Sequence, residues 1–122
     1  MATIKSYTTI EQSKKLAETL PFESADGFYE AQHNPITNEW EDILFTGTKW
    51  ASKDVVIPAW SLTALLDVLS FPQLSKDKLG SGKTGWMVSA YPNDCRYDSC
   101  WHDNPVDACY ELILKLHELK ML

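Results

Sequence analysis

The stretch Asn104-Pro105-Val106-Asp107-Ala108-Cys109-Tyr110-Glu111-Leu112-Ile113-Leu114-Lys115-Leu116-His117-Glu118-Leu119 decides the fold. Asn104 is a natural N-cap, and Pro105 follows where its missing N–H would have no partner anyway. Asp107 places negative charge at the positive end of the helix dipole. Val106, Cys109, Leu112, Ile113, Leu116 and Leu119 then recur at helical spacing on one side, and burying each large aliphatic contributes about 1.5–3 kcal/mol. Glu111 and Lys115 face away from that side as an i,i+4 pair in the favourable order. Immediately upstream, Trp86–Tyr91 and Arg96–Trp101 flank the turn residues Pro92-Asn93-Asp94, which reads as a β-hairpin. A hairpin that feeds directly into an amphipathic helix implies a helix folded back across the sheet.

Working outward, Thr9-Ile10-Glu11-Gln12 is a capping box that opens a helix over about Thr9–Leu20, stopped by Pro21. Gly27–Gln32 and Trp40–Phe45, around the turn-rich His33–Asn38, read as two antiparallel strands. Gly47–Asp54 reads as loop and Val55-Val56-Ile57 as a short extended piece. Pro58 is assigned to the first turn of a helix carrying the apolar stripe Leu62, Leu65, Leu66 and Leu69, ended by Pro72. Gln73–Gly85 is polar and glycine-containing and reads as a mobile loop. The expected architecture is a single α+β domain over residues 1–122, an antiparallel sheet of about four strands with about three helices on one face.

The chain has 122 residues, with 11 Lys+Arg against 17 Asp+Glu and a formal charge of −6. At this length folding removes roughly two-thirds of the extended chain's accessible surface, enough for a core without staples. The acidic balance argues against general nucleic-acid binding, which needs surplus cations to displace counterions. No apolar run is long enough to span a membrane, and Met1–Lys5 lacks the apolar region of a signal peptide, so a soluble cytoplasmic protein is expected. Three cysteines without an export signal fit reduced thiols.

Charge is uneven. From Leu16 to Thr48 there are seven acids and no Lys or Arg, so this stretch carries −7 and the rest +1. The simplest account is a solvated face that keeps a small protein soluble. The functional candidate within the stretch is an interaction surface made by Glu30, Glu39, Glu41 and Asp42.

Other groups suggest chemistry. Gly80-Ser81-Gly82-Lys83-Thr84 resembles the end of a phosphate loop, but that mechanism needs a helix after the loop, and Gly85–Val88 reads as strand. Cys95, Cys100, His102 and Cys109 offer four zinc donors, yet their spacing matches no usual knuckle, and Cys109 falls on the apolar side of its helix. Cys100, His102 and Asp103 could serve as nucleophile, base and orienter, although neighbours one and two residues apart on a strand rarely face each other productively. His33 and His117 read as a loop residue and a wet helix residue. Of the five tryptophans, Trp40, Trp50, Trp60, Trp86 and Trp101, most belong to core and rim, with one or two free to anchor a protein partner. No catalytic residue, cofactor or metal site is assigned.

Ile57–Leu66, Asp103–Cys109, Lys115–Leu119 and Thr9–Glu18 together resemble a family of small proteins encoded by phages, prophages and mobile elements of the Bacteroides group. The resemblance implies an intracellular accessory protein of such an element and brings no catalytic residues with it. The leading expectation is therefore a non-enzymatic accessory or interaction protein with a protein partner. A small enzyme or metal-binding protein using Cys95–Cys109 is the alternative, and an acidic nucleic-acid mimic that inhibits a DNA-binding protein is the third.

Overall fold

The computed structural model describes residues 6–47 and 56–122. Helix α1 spans Ile10–Ala17 and opens on the expected capping box: the Thr9 hydroxyl accepts from Gln12 N–H at 3.2 Å, and Gln12 Oε1 accepts from Thr9 N–H at 3.0 Å. It stops three residues earlier than expected. Leu20 precedes Pro21 and is steered away from helical backbone, so Thr19 and Leu20 both close back onto the Leu16 carbonyl and a short 3-10 turn follows at Phe22–Ser24.

Strands β1, Gly27–Asn34, and β2, Glu39–Thr46, form an antiparallel hairpin in unbroken register from Gly27↔Thr46 to Asn34↔Glu39. Strand β3, Ile57–Ala59, pairs antiparallel with the first three residues of β1, giving a sheet of order β2-β1-β3. Pro58 thus lies in an edge strand, where its missing N–H costs nothing, and not in a helix. The helix-start signal that wins is Ser61, whose hydroxyl accepts from Ala64 N–H at 3.2 Å ahead of α2, Leu62–Val68. Residues 48–54 of the expected loop, Trp50 among them, and Val55 of the extended piece lie outside the described residues.

The second sheet corrects the sequence reading more sharply. Gln73–Gly85 is no loop: Gln73–Lys78 is strand β4, paired antiparallel with β5, Thr84–Ala90. Between them Leu79 N–H donates to Lys83 C=O and Gly82 N–H to Leu79 C=O, both at 2.8 Å, with Gly82 at φ +86° in the left-handed region a glycine accepts freely. Strand β6 is only Tyr97–Asp98, and the sheet order is β4-β5-β6. Between Ser89↔Asp98 and the Trp86↔His102 bridge, the β6 side carries one residue more than β5, a bulge in the second arm of the expected hairpin.

Helix α3, Pro105–Glu118, comes next, with Asn104 Oδ1 accepting from Asp107 N–H at 2.9 Å. Its inner side, Val106, Cys109, Leu112, Ile113 and Leu116, is fully buried with Val88 and Ala90 of β5, Leu65 of α2 and Leu16 of α1. Leu119, expected on that side, sits past the helix end and is 47% exposed. The α+β class and the packing of the last helix on a sheet are as expected, but the strands make two three-stranded sheets rather than one of about four. No helix among the described residues is long and apolar enough to cross a membrane.

Candidate functional site

Among the described residues the β1–β2 hairpin is tied to the body at its base. Asp26 accepts from Ser61 N–H at 2.8 Å and from the Ser61 hydroxyl, which joins the hairpin to the start of α2. The Tyr29 hydroxyl donates to the Thr8 carbonyl at 2.6 Å. Gly27 is packed so tightly that a Cβ there would meet the Tyr7 ring at 2.8 Å and the Phe45 carbonyl oxygen at 3.0 Å. Beyond Tyr29 the hairpin has no third strand among the described residues. A two-stranded ribbon has two open faces and little to hold it in water.

Every residue of β2 is exposed although the strand reads Trp40, Ile43, Leu44 and Phe45 among its eight. Trp40 is 71% exposed and Ile36, in the turn, 92%. Period-two alternation and the register sort the side chains onto two faces. One face holds Phe28 against Phe45, stacked with ring centroids 5.3 Å apart, then Ile43 beside Glu30, then Glu41 and Glu39. The other holds Tyr29 beside Leu44, Ala31 beside Asp42, and His33 tilted against Trp40 at 5.3 Å. At the tip, Asn34 Oδ1 accepts from Ile36 N–H at 2.9 Å, and Asn38, at φ 59°, places Oδ1 3.0 Å from His33 Nε2. His33 is therefore a strand residue and not a loop residue.

All four acids singled out by sequence lie on this hairpin, but not together. Glu30, Glu39 and Glu41 share one face, and Asp42 is on the opposite one. The single acidic patch resolves into a ribbon that is acidic along its length and apolar on both sides of its base.

The thiol and imidazole candidates are drawn into other bonds. Cys109 is buried in the core, and burial pushes its thiol up to about 12, so it stays protonated. His102 Nε2 lies 3.0 Å from Glu111 Oε1, and Cys100 N–H donates to Glu111 Oε2 at 2.8 Å. Glu111 therefore turns to the β6 side rather than to Lys115, whose Nζ reaches the Asp98 carbonyl at 3.5 Å. Burial pushes the Glu111 carboxyl up, but the bonds from Cys100 N–H and with His102 outweigh it and hold the carboxyl below its ordinary value. Among the described residues no three His, Cys, Asp or Glu side chains converge as a metal site would require.

An open cleft of about 670 Å³ runs beside α3, lined by Gln12, His102, Asp107, Tyr110, Glu111 and Lys115. Two of its polar pairs are bonded within the lining, Gln12 Nε2 to Asp107 Oδ1 at 2.7 Å and His102 Nε2 with Glu111 Oε1 at 3.0 Å. The Cys100 thiol and His102 both bond the Glu111 carboxylate, which occupies them with the same partner. The glycine stretch is the exposed turn between β4 and β5, with strand on both sides, and it lacks the helix N-terminus a phosphate would need.

Two features escaped the sequence reading. Trp40, Ile43, Leu44 and Phe45 look like core strand, and only their exposure in the folded chain places them at the surface. Leu74, Lys76 and Lys78 were hidden inside an assumed loop; their spacing by two, ahead of a glycine turn and a second apolar run, was the available signal. No family model matches the chain, and neither the curated proteins nor the solved structures compared with it gave a match.

Proposed function

We propose that this protein is a non-enzymatic interaction protein whose docking element is the β1–β2 hairpin. In this proposal it is a cytoplasmic accessory factor of a phage or mobile element, as the family resemblance implies, and its partner is a protein. The observation that carries the reading is β2 itself: eight exposed residues, four of them large and apolar, on a ribbon that has no third strand beyond Tyr29 among the described residues. Exposed Trp and Phe ringed by polar groups match the aromatic cores of protein interfaces, where Trp is among the commonest hot-spot residues. Glu30, Glu39, Glu41 and Asp42 add a negative field that steers a basic partner and weakens with salt. The mutual bonding of His102 and Glu111, and the burial of Cys109, favour this reading over the Cys95–Cys109 alternative.

Affinity capture from host lysate, run in parallel with wild type, Trp40→Ala/Leu44→Ala and Glu39→Lys/Asp42→Lys, tests it. A protein retained by wild type, lost by both variants and released as salt rises is the expected result. Retention unchanged by both variants would overturn the reading, as would turnover that depends on Cys100 or Glu111.

A further inference from the structure

Each sheet ends in an open edge strand among the described residues, and the two edges carry opposite charge. On β2 the charged residues are Glu39, Glu41 and Asp42; on β4 they are Lys76 and Lys78 with Asp77 between, and Lys83 lies in the adjoining turn. All the named residues of β2, and Leu74, Lys76 and Lys78 of β4, are exposed. An open edge presents backbone N–H and C=O groups to any strand that can pair with it.

The ladders determine which groups point outward. Gly47 N–H donates to Asp26 C=O at 2.7 Å, which sets the phase of the β1–β2 ladder. Bonded pairs then alternate along it, so Trp40, Asp42 and Leu44 turn their backbone groups to the free edge. Leu79 N–H to Lys83 C=O sets the phase of β4–β5 in the same way, leaving Leu74, Lys76 and Lys78 outward. The N–H of Lys78 accordingly donates to the Asp77 carboxylate at 2.8 Å and not to β5.

We infer that the hairpin's partner is a second copy of this chain, whose β4 edge adds antiparallel to β2 with Trp40 opposite Lys78, Asp42 opposite Lys76 and Leu44 opposite Leu74. This rests on the reading of the hairpin as the docking element. The three pairs fall on one face of the joined sheet and match in kind: a cation against an indole, an ion pair and an apolar pair. Within one chain Lys76 already sits 5.0 Å from the ring centroid of Trp86, so the lysines of this strand are within reach of indole contacts. Sliding the register by two residues sets Asp42 against Leu74 or Leu44 against Lys76. Pairing like edges about Asp42, or about Lys76, sets two copies of that residue on each other, and like charges directly opposite destabilise a ladder. The register has one unfavourable neighbour on its other face, Glu41 opposite Asp77.

Each copy thus has one acidic and one basic edge, so copies associate head to tail, as a ring or an open chain. A single strand pair is a small interface of the weak, transient class. Analytical ultracentrifugation of the purified full chain up to about 1 mM in low salt reads it. Wild type should self-associate and dissociate as salt rises. Asp42→Lys alone and Lys76→Asp alone should each weaken association by more than about tenfold. An equimolar mixture of the two variants should recover it, since each supplies the edge the other lacks. Asp77→Asn should tighten it by removing the one unfavourable pair. Wild type that stays monomeric throughout, or single variants that associate like wild type, overturns the inference. Failure of the variants to recover on mixing, with both melting as wild type does, also overturns it. Should wild type be monomeric while the hairpin variants still lose a captured protein, the docking element stands and the second copy is not its partner.

Discussion

The two sheets start alike and end differently. Each is a long hairpin with a short third strand, but β5 lies under α3, with Val88 and Ala90 fully buried, while no residue of β2 is buried. The difference lies in the helix that each sheet's last strand leads into. After β6 the sequence at once supplies Asn104, Pro105 and an apolar helix face sized to cover a sheet. After β3 it supplies α2, a helix of seven residues whose buried Leu65 goes to the common core and not onto the β1–β2 ribbon. Large apolar side chains therefore mean opposite things on the two strands: on β5 under α3 they are stability, on β2 they are surface.

That contrast is sharpest for a charge placed under α3. Ile113→Asp, which buries an unpaired carboxylate in the core, should leave the chain unfolded by far-ultraviolet circular dichroism. A native spectrum would mean that this face is not the core. Truncations compare the two sheets on one scale. Leu65→Ala should cost about 2–5 kcal/mol in chemical unfolding, whereas Trp40→Ala should cost less than about 1 kcal/mol. Equal losses would show that the hairpin belongs to the cooperative core after all.

The smallest effect concerns the clamp that ties α3 to the strand side. Bonds from Cys100 N–H and with His102 hold the Glu111 carboxyl below its unfolded value. Its contribution to stability is thus complete above the ordinary carboxylate range and is lost as pH falls through the lowered folded value. Thermal melts from neutral pH downward should show a shallower acid-side decline for Glu111→Gln than for wild type. Identical slopes would assign the acid sensitivity elsewhere.

The parts of this fold that could be read from sequence are those governed by local chemistry. The Thr9–Gln12 box and the Asn104-Pro105 start needed no tertiary information, because the groups that satisfy each other are neighbours. What could not be read is what depends on distant cover. Strand β4 is exposed and lies at an edge, so nothing demands apolar alternation there, and Lys76-Asp77-Lys78 looks the same in a loop as in a strand. Pro58 fits a helix start or an edge strand equally well, and pairing with Phe28 decides it. The acidic segment was visible as charge, but its division into two faces waited on the register that sets Ala31, not Glu30, beside Asp42.

The central claim is that the hairpin beyond Tyr29 stands outside the cooperative core until something covers its edge. Native-state hydrogen exchange, resolved by residue, reads this directly. In dilute solution the amides of Glu30–Asp42 should exchange through openings far less costly than those releasing Val88, Ala90 and the middle of α3, and should slow once the edge is occupied. Hairpin amides as protected in dilute monomer as those of β5 and α3 would contradict it.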